Sequence, residues 1–95
     1  MAQTILFQAR GGINEKSTVA ITLFDKIDND RPFTMQVVTC SYDKKLKEYL
    51  ISDISTDYYY DYAEALEKYI NTLQHKIAFG YFIRHFQNKP VTINL

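Results

Sequence analysis

What the chain has little of narrows its class first. It holds one cysteine, Cys40, so no intramolecular disulfide can form and a secreted disulfide framework is excluded. Three glycines and two prolines leave no composition for a long flexible linker. The formal net charge is zero, so no overall field draws the chain toward nucleic acid or an anionic membrane. The first residues lack the basic-then-apolar pattern of a signal peptide, and no apolar run approaches the ~18 residues of a membrane span. The expected compartment is the cytoplasm, with no membrane partner.

What is present describes a folded chain. Apolar residues make up 46% and charged ones 23% of 95 residues, enough for a single domain over 1–95 that buries one core without metal or disulfide staples. Eight tyrosines and six phenylalanines are more than packing alone calls for. A tyrosine buries a ring and keeps a polar handle, so an excess suits half-buried and interfacial positions.

The first half reads as strands. Residues 4–10 alternate Ile5, Phe7 and Ala9 with Leu6, Gln8 and Arg10, and Gly11-Gly12 is expected to break the run before a polar loop. Residues 18–24 place Val19, Ile21 and Leu23 on one face and Thr18, Ala20, Thr22 and Phe24 on the other. A turn rich in charge ends at Pro32; residues 33–42 follow with Phe33, Met35 and Val37 inward. Asp43-Lys44-Lys45 forms a tight connection to a fourth strand over 46–54. Short links between consecutive strands favour an antiparallel meander.

The second half reads as helix. Leu66, Tyr69, Ile70, Leu73 and Ile77 recur three and four apart. Asp61 and Glu64 have capping-box spacing, Glu64 precedes Lys68 by four, and His75 and Lys76 come late, where the helix dipole favours cations. Residues 77–86 fit both helical spacing and alternation. Asn88 and Pro90, read as a stop signal, favour helix, either continuous or kinked near Gly80. Residues 91–95 suit a short final strand. The expected fold is therefore α+β: an antiparallel four-stranded meander, with a short fifth C-terminal strand as an option, packed on one face by one long or two consecutive C-terminal helices.

Catalytic and cofactor signatures are missing. Cys40 lies inside a strand with no nucleophile motif around it, and a free cysteine there is ordinarily a small buried hydrophobe. His75 and His85 stand ten apart, which is no metal-ligand spacing. The acidic turn with Asp25, Asp28 and Asp30 lacks the glycine and the final glutamate of a calcium loop. Gly11-Gly12 followed by Lys16-Ser17 matches neither the Walker nor the dinucleotide pattern. Asp57 and Asp61, one turn apart on an expected helix start, are explained by capping and dipole matching rather than acid–base work. No enzyme, metal or cofactor is expected.

Binding remains. From Glu48 to Glu67 there are six acids and no lysine or arginine; from Lys68 onward there are four bases, two histidines and no acid. Dipole matching along one helix is the ordinary explanation. The sharper one is a patch in which Tyr58, Tyr59, Tyr60 and Tyr62 anchor a partner while Asp53, Asp57, Asp61, Glu64 and Glu67 meet its basic surface. On a helix, three consecutive tyrosines cannot all face one core. The expectation is a non-enzymatic protein-binding module, of the kind found among inhibitors and accessory proteins of phages and mobile elements. A homodimer through this surface or the exposed sheet face would use the same features. The alternative is a single-stranded nucleic-acid-binding domain using Lys44, Lys45 and Lys47 on a hairpin with sheet aromatics; zero net charge and the acids around the tyrosines count against it.

Overall fold

Alternation of β-branched and polar residues carries the chain through four consecutive antiparallel strands before any helix forms. The computed structural model describes residues 2–14, 16–26 and 32–94. The elements are β1 (Ala2–Ile13), β2 (Ser17–Lys26), β3 (Phe33–Asp43), β4 (Glu48–Tyr59), α1 (Tyr62–Ala78), β5 (Phe82–Gln87) and β6 (Val91–Asn94). They build one six-stranded antiparallel sheet in the order β4-β3-β2-β1-β5, with β6 also on β1, and α1 lies across one face. The fold is α+β and the meander is as expected. The strand and helix counts are not: the described residues form six strands rather than four or five, and one helix followed by a strand.

The core follows the alternation. Val19, Ile21 and Leu23 from β2 and Met35 and Val37 from β3 are buried beneath Ala65 and Tyr69 of α1, with Phe7, Phe33, Tyr59, Leu73 and Tyr81 around them. The helix is rotated from the seam its spacing suggests. Ala65, with only a methyl group, sits at the closest approach to the sheet, and this turns Ile70 (43% exposed) and Ile77 (51% exposed) outward.

Both ends of α1 are set by local chemistry. At the start, Asp61 is extended and its carboxylate accepts a hydrogen bond from the Glu64 amide at 3.3 Å, the first half of the anticipated capping box. Asp61→Ala is expected to cost about 1 kcal/mol, read as a small drop in melting temperature with unchanged spectra. At the other end the chain does not continue into a second helix. Gly80 takes φ +103°, its amide donates to the Ile77 carbonyl at 3.0 Å, and the Tyr81 amide donates to the Lys76 carbonyl at 3.1 Å. These two bonds form a Schellman motif, which ends a helix and reverses the chain. The Lys76 ammonium over the Tyr81 ring, 5.6 Å from its centroid, closes the motif.

The reversed chain enters β5, so the alternating pattern of residues 77–86 prevails from Phe82 onward. β5 pairs with Gln8–Gly12 of β1 and β6 with Ala2–Ile5, so β5 and β6 act as one strand interrupted at Asn88–Pro90. Asn88 and Pro90 therefore break a strand rather than stop a helix; proline has no amide to give to the ladder. Gly11 and Gly12 do not end β1 either. The strand runs to Ile13, and the turn falls at Asn14, whose φ is +45° and whose side-chain oxygen accepts from the Lys16 amide at 2.9 Å.

Candidate functional site

Strand register divides the tyrosine- and acid-rich stretch between two faces. Asp57 pairs with Met35, Ser55 with Val37 and Tyr59 with Phe33, so these side chains share the face that α1 covers. Tyr58 pairs with Thr34, Thr56 with Gln36 and Ile54 with Val38, which places them on the open face. The stretch through Tyr59 is strand, not helix, and the helical argument for the tyrosine run gives way to alternation. Asp57 and Asp61 accordingly are not one helical turn apart: Asp57 lies in β4 and Asp61 caps α1.

On the helix side the acids gather at the margin between β4 and the start of α1. Asp53, two pairs before Asp57, faces the same way. Burial pushes the Tyr59 phenol up, and the carboxylates of Asp57 and Glu64 push it further. Glu67, three residues on from Glu64, continues the strip on the exposed side of α1. Tyr62 leans on Phe33 with ring centroids 5.6 Å apart, and Tyr60 sits exposed in the bend between strand and helix. Of the nine expected patch residues, then, the register sends Tyr58 to the opposite face of the sheet.

β4 is itself part of this margin. It is the terminal strand in the sheet order, and among the described residues no strand pairs with its outer edge. Every residue of it except Tyr59 is exposed, including Ile51 (62%), Ile54 (52%) and Tyr58 (49%). An extra residue, Ser52, bulges out between Ile51 and Asp53, and its hydroxyl donates to the Thr39 carbonyl at 3.0 Å. Beyond the bulge, residues 53–59 run as a regular edge.

The open face carries a second feature, at the opposite end of the molecule from the helix start. The β1–β2 and β3–β4 turns lie side by side there, tied by a 2.8 Å bond from the Tyr42 amide to the Lys16 carbonyl. A groove of about 420 Å³ has Ala20, Val38 and Cys40 as its floor and Arg10, Tyr49, Arg84 and His85 as walls. Past Tyr49 and Arg84 it opens into a shallower basin of about 1000 Å³ edged by Asn14, Lys16, Tyr42 and Lys44. Tyr42 and Tyr49 pair across the strands, with centroids 5.2 Å apart and planes at 58°. Of the three hairpin lysines only Lys44 lines this space; Lys45 and Lys47 are exposed on the turn, where the Asp43 carboxylate accepts from the Lys45 and Leu46 amides and Lys47 takes φ +55°.

Sequence reasoning missed Arg10, Lys16, Tyr42, Tyr49, Arg84 and His85. The signal for the tyrosines was there: they bracket a tight turn and so must pair. Arg84 and His85 reach the groove only because residues 82–87 are strand.

Neither surface assembles a catalytic set. Cys40 and His85 line the same groove, but β3 and β5 are three inter-strand steps apart, about 14 Å, too far for a thiol–imidazole pair. His75 is on α1, over the other face. Among the described residues no three His, Cys, Asp or Glu side chains converge on a metal position; Asp28 and Asp30 of the acidic turn lie outside the described residues. Among the same residues no helix is long and apolar enough to cross a membrane. Searches against known protein families, curated proteins and solved structures return no match to this chain.

Proposed function

We propose that this chain is a non-enzymatic protein-binding module that takes an extended, basic segment of its partner onto the outer edge of β4. The observation that carries the proposal is the edge itself: a strand without an outer neighbour, apolar on one face and acidic on the other. Proteins blunt such an edge with charge, proline or a bulge; here the bulge at Ser52 interrupts only its first part, and residues 53–59, without lysine or proline, carry acids that admit a basic strand and repel an acidic one. An added strand gains main-chain hydrogen bonds along 53–59 and is selected by alternate side chains. Its apolar positions meet Ile54 and Tyr58; its lysines or arginines meet Asp53 and Asp57, with Glu64 and Glu67 extending the field and Tyr59, Tyr60 and Tyr62 forming the aromatic rim. Covering a basic surface makes the module an inhibitor of whatever else binds there, the role expected of small accessory proteins of phages and mobile elements.

A second copy of the chain is a poorer occupant. β4 carries acids and no base, so pairing two β4 edges brings acids together with no cation to offset them.

The test uses a synthetic peptide of about ten residues alternating lysine and valine, which has the required two-faced chemistry. It is expected to bind in a salt-sensitive manner and to slow amide exchange across residues 53–59. Ile54→Lys, or Asp53→Lys with Asp57→Lys, is expected to weaken binding by about ten-fold or more, with the melting temperature held because all three side chains are exposed. A peptide alternating glutamate and valine serves as the control. Equal binding of the two peptides, or protection elsewhere than β4, would remove the proposal.

A further inference from the structure

The groove on the open face is lined by residues that the strand-docking reading does not use. We infer that it is a binding site for single-stranded nucleic acid, with Tyr42 and Tyr49 as the base-stacking platform and Arg10, Lys16, Lys44 and Arg84 as the phosphate contacts.

Three observations converge. The described residues lining the groove and its basin include these four cations and no carboxylate, so the lining is basic although the chain is neutral overall, with Asp43 and Glu48 paired just behind it on the β3–β4 turn. Net charge was therefore the wrong quantity to judge by. A phosphate backbone responds to the charge within about a Debye length, and Asp57, Asp61, Glu64 and Glu67 of the acidic strip lie toward the helix start, away from the turns. Second, both rings are partly exposed and line the basin that Lys16, Lys44 and Arg84 also line, and aromatic rings among cations are the combination that single-strand binders use for sequence-tolerant stacking. Third, the floor of Ala20, Val38 and Cys40 is small and apolar, and about 420 Å³ above it suits an unstacked base.

A duplex does not fit these features. Its bases show edges rather than faces, so the tyrosine rings would have nothing to stack on. An acidic protein segment would satisfy the cations but leave the aromatic platform unexplained. Strand, turns and β5 each contribute: Arg10 sits opposite Ala20 on β2 and His85 on β5, Arg84 occupies the irregularity between those strands, and the two turns bring Lys16 and Lys44 to the rim.

The experiment is fluorescence anisotropy with a mixed-sequence single-stranded DNA of about 12 nucleotides at low salt. Four phosphate contacts predict a slope of about −3 for log affinity against log salt. Tyr42→Ala and Tyr49→Ala are each expected to weaken binding by about ten-fold. Arg10→Glu with Arg84→Glu is expected to abolish it, since it reverses two of the four contacts. Thermal unfolding of each variant checks that the fold survives, and Gln74→Ala, exposed on α1 over the other face, should bind as the unaltered protein does. The inference is overturned by absence of binding at low salt. It is overturned equally if a duplex of the same length binds as tightly, or if the charge reversals matter while both tyrosine variants bind normally, because either result describes a polyanion contact without base stacking.

Discussion

Tyr69→Ala is expected to strip the fold of much of its stability. Tyr69 is 2% exposed, the largest fully buried side chain in the molecule, and it is the point at which α1 is fixed to the sheet. Its hydroxyl donates to the Ile21 carbonyl at 2.9 Å and its ring lies 5.9 Å from that of Phe7. Truncating a buried aromatic costs about 3–5 kcal/mol, against a total stability of about 5–15 kcal/mol for a domain of this class. The melting temperature should fall by roughly 15–30 °C. Tyr69→Phe separates the two contributions: it keeps the ring and deletes the hydroxyl, and should cost about 1 kcal/mol.

The same residue sets a pH dependence. Burial pushes the Tyr69 phenol up to about 12 from an ordinary 10, the Ala9 backbone pulling the other way. Between those values the unfolded chain loses the proton and the folded one keeps it, so stability is complete below pH 10 and declines as pH rises toward 12. The decline is about 1.4 kcal/mol per unit, or roughly 2–3 kcal/mol in all. Tyr59, whose phenol is also raised, adds to the loss in the same direction. Denaturant titrations of the parent and Tyr69→Phe at pH 9 and pH 11.5 measure this. The variant should lose less stability over that interval, and parallel losses would mean that the Tyr69 phenol titrates normally.

The parts of this fold that were legible from sequence are those whose pattern is set by one strand and its own faces. Val19, Ile21 and Leu23 alternate with polar neighbours because one side of β2 is covered and the other is not, and that suffices to orient β2 and β3. Asp61 likewise marks a helix start through a bond to an amide three residues away. What failed depends on partners distant in the chain. Nothing local separates Tyr58 from Tyr59; the pairing with Thr34 and Phe33 does. Nothing local says that Gly80 ends a helix rather than kinks one, since the outcome depends on whether a sheet edge awaits the chain. Here β1 supplies that edge, and residues 82–87 take it. The groove was hidden for the same reason, because Arg84 and His85 become neighbours of Arg10 only through β5.

The acid–base asymmetry shows how sequence order becomes spatial order. α1 starts at the end of the sheet where β4 finishes and runs to the end where the β1–β2 and β3–β4 turns lie, so acids before residue 68 and bases after it are pulled toward opposite ends. A neutral chain thereby presents two strong and opposite local fields, one along the outer margin of β4 and one above the open face. Asp57, Glu64 and Glu67 lie toward the helix start and Arg10, Lys44 and Arg84 toward the turns, so substitutions in these two sets share no partner and their effects should add.

Gly11→Ala is the substitution expected to harm β5 most for the smallest chemical change. A Cβ at Gly11 would lie 1.9 Å from the Phe82 carbonyl oxygen, 2.8 Å from its carbon and 3.0 Å from the Ile83 Cα, all backbone atoms that no side-chain rotation can clear. The strand must move outward by more than an ångström at the irregularity between Arg10 and Gly11, loosening the Gly11–Ile83 and Gly12–Phe82 pairs. The stacking of Phe86 on Phe7, centroids 6.3 Å apart, lies on the same strand and loosens with it. Overpacking of this sort costs about 1–3 kcal/mol, and with the lost pairs the upper end applies, so the melting temperature should drop by roughly 10–20 °C. Gly80→Ala is the control. It meets no atom within 4 Å and only strains a backbone at φ +103°, which costs about 1 kcal/mol. Amide exchange should show Gly11→Ala opening β5 while leaving β2 and β3 protected. Because Arg84 and His85 ride on β5, the same variant should also weaken binding of single-stranded DNA, whereas the β4 edge, at the far side of the sheet, should bind its peptide unchanged. A Gly11→Ala protein with parental stability would mean that β5 is held elsewhere than at this contact.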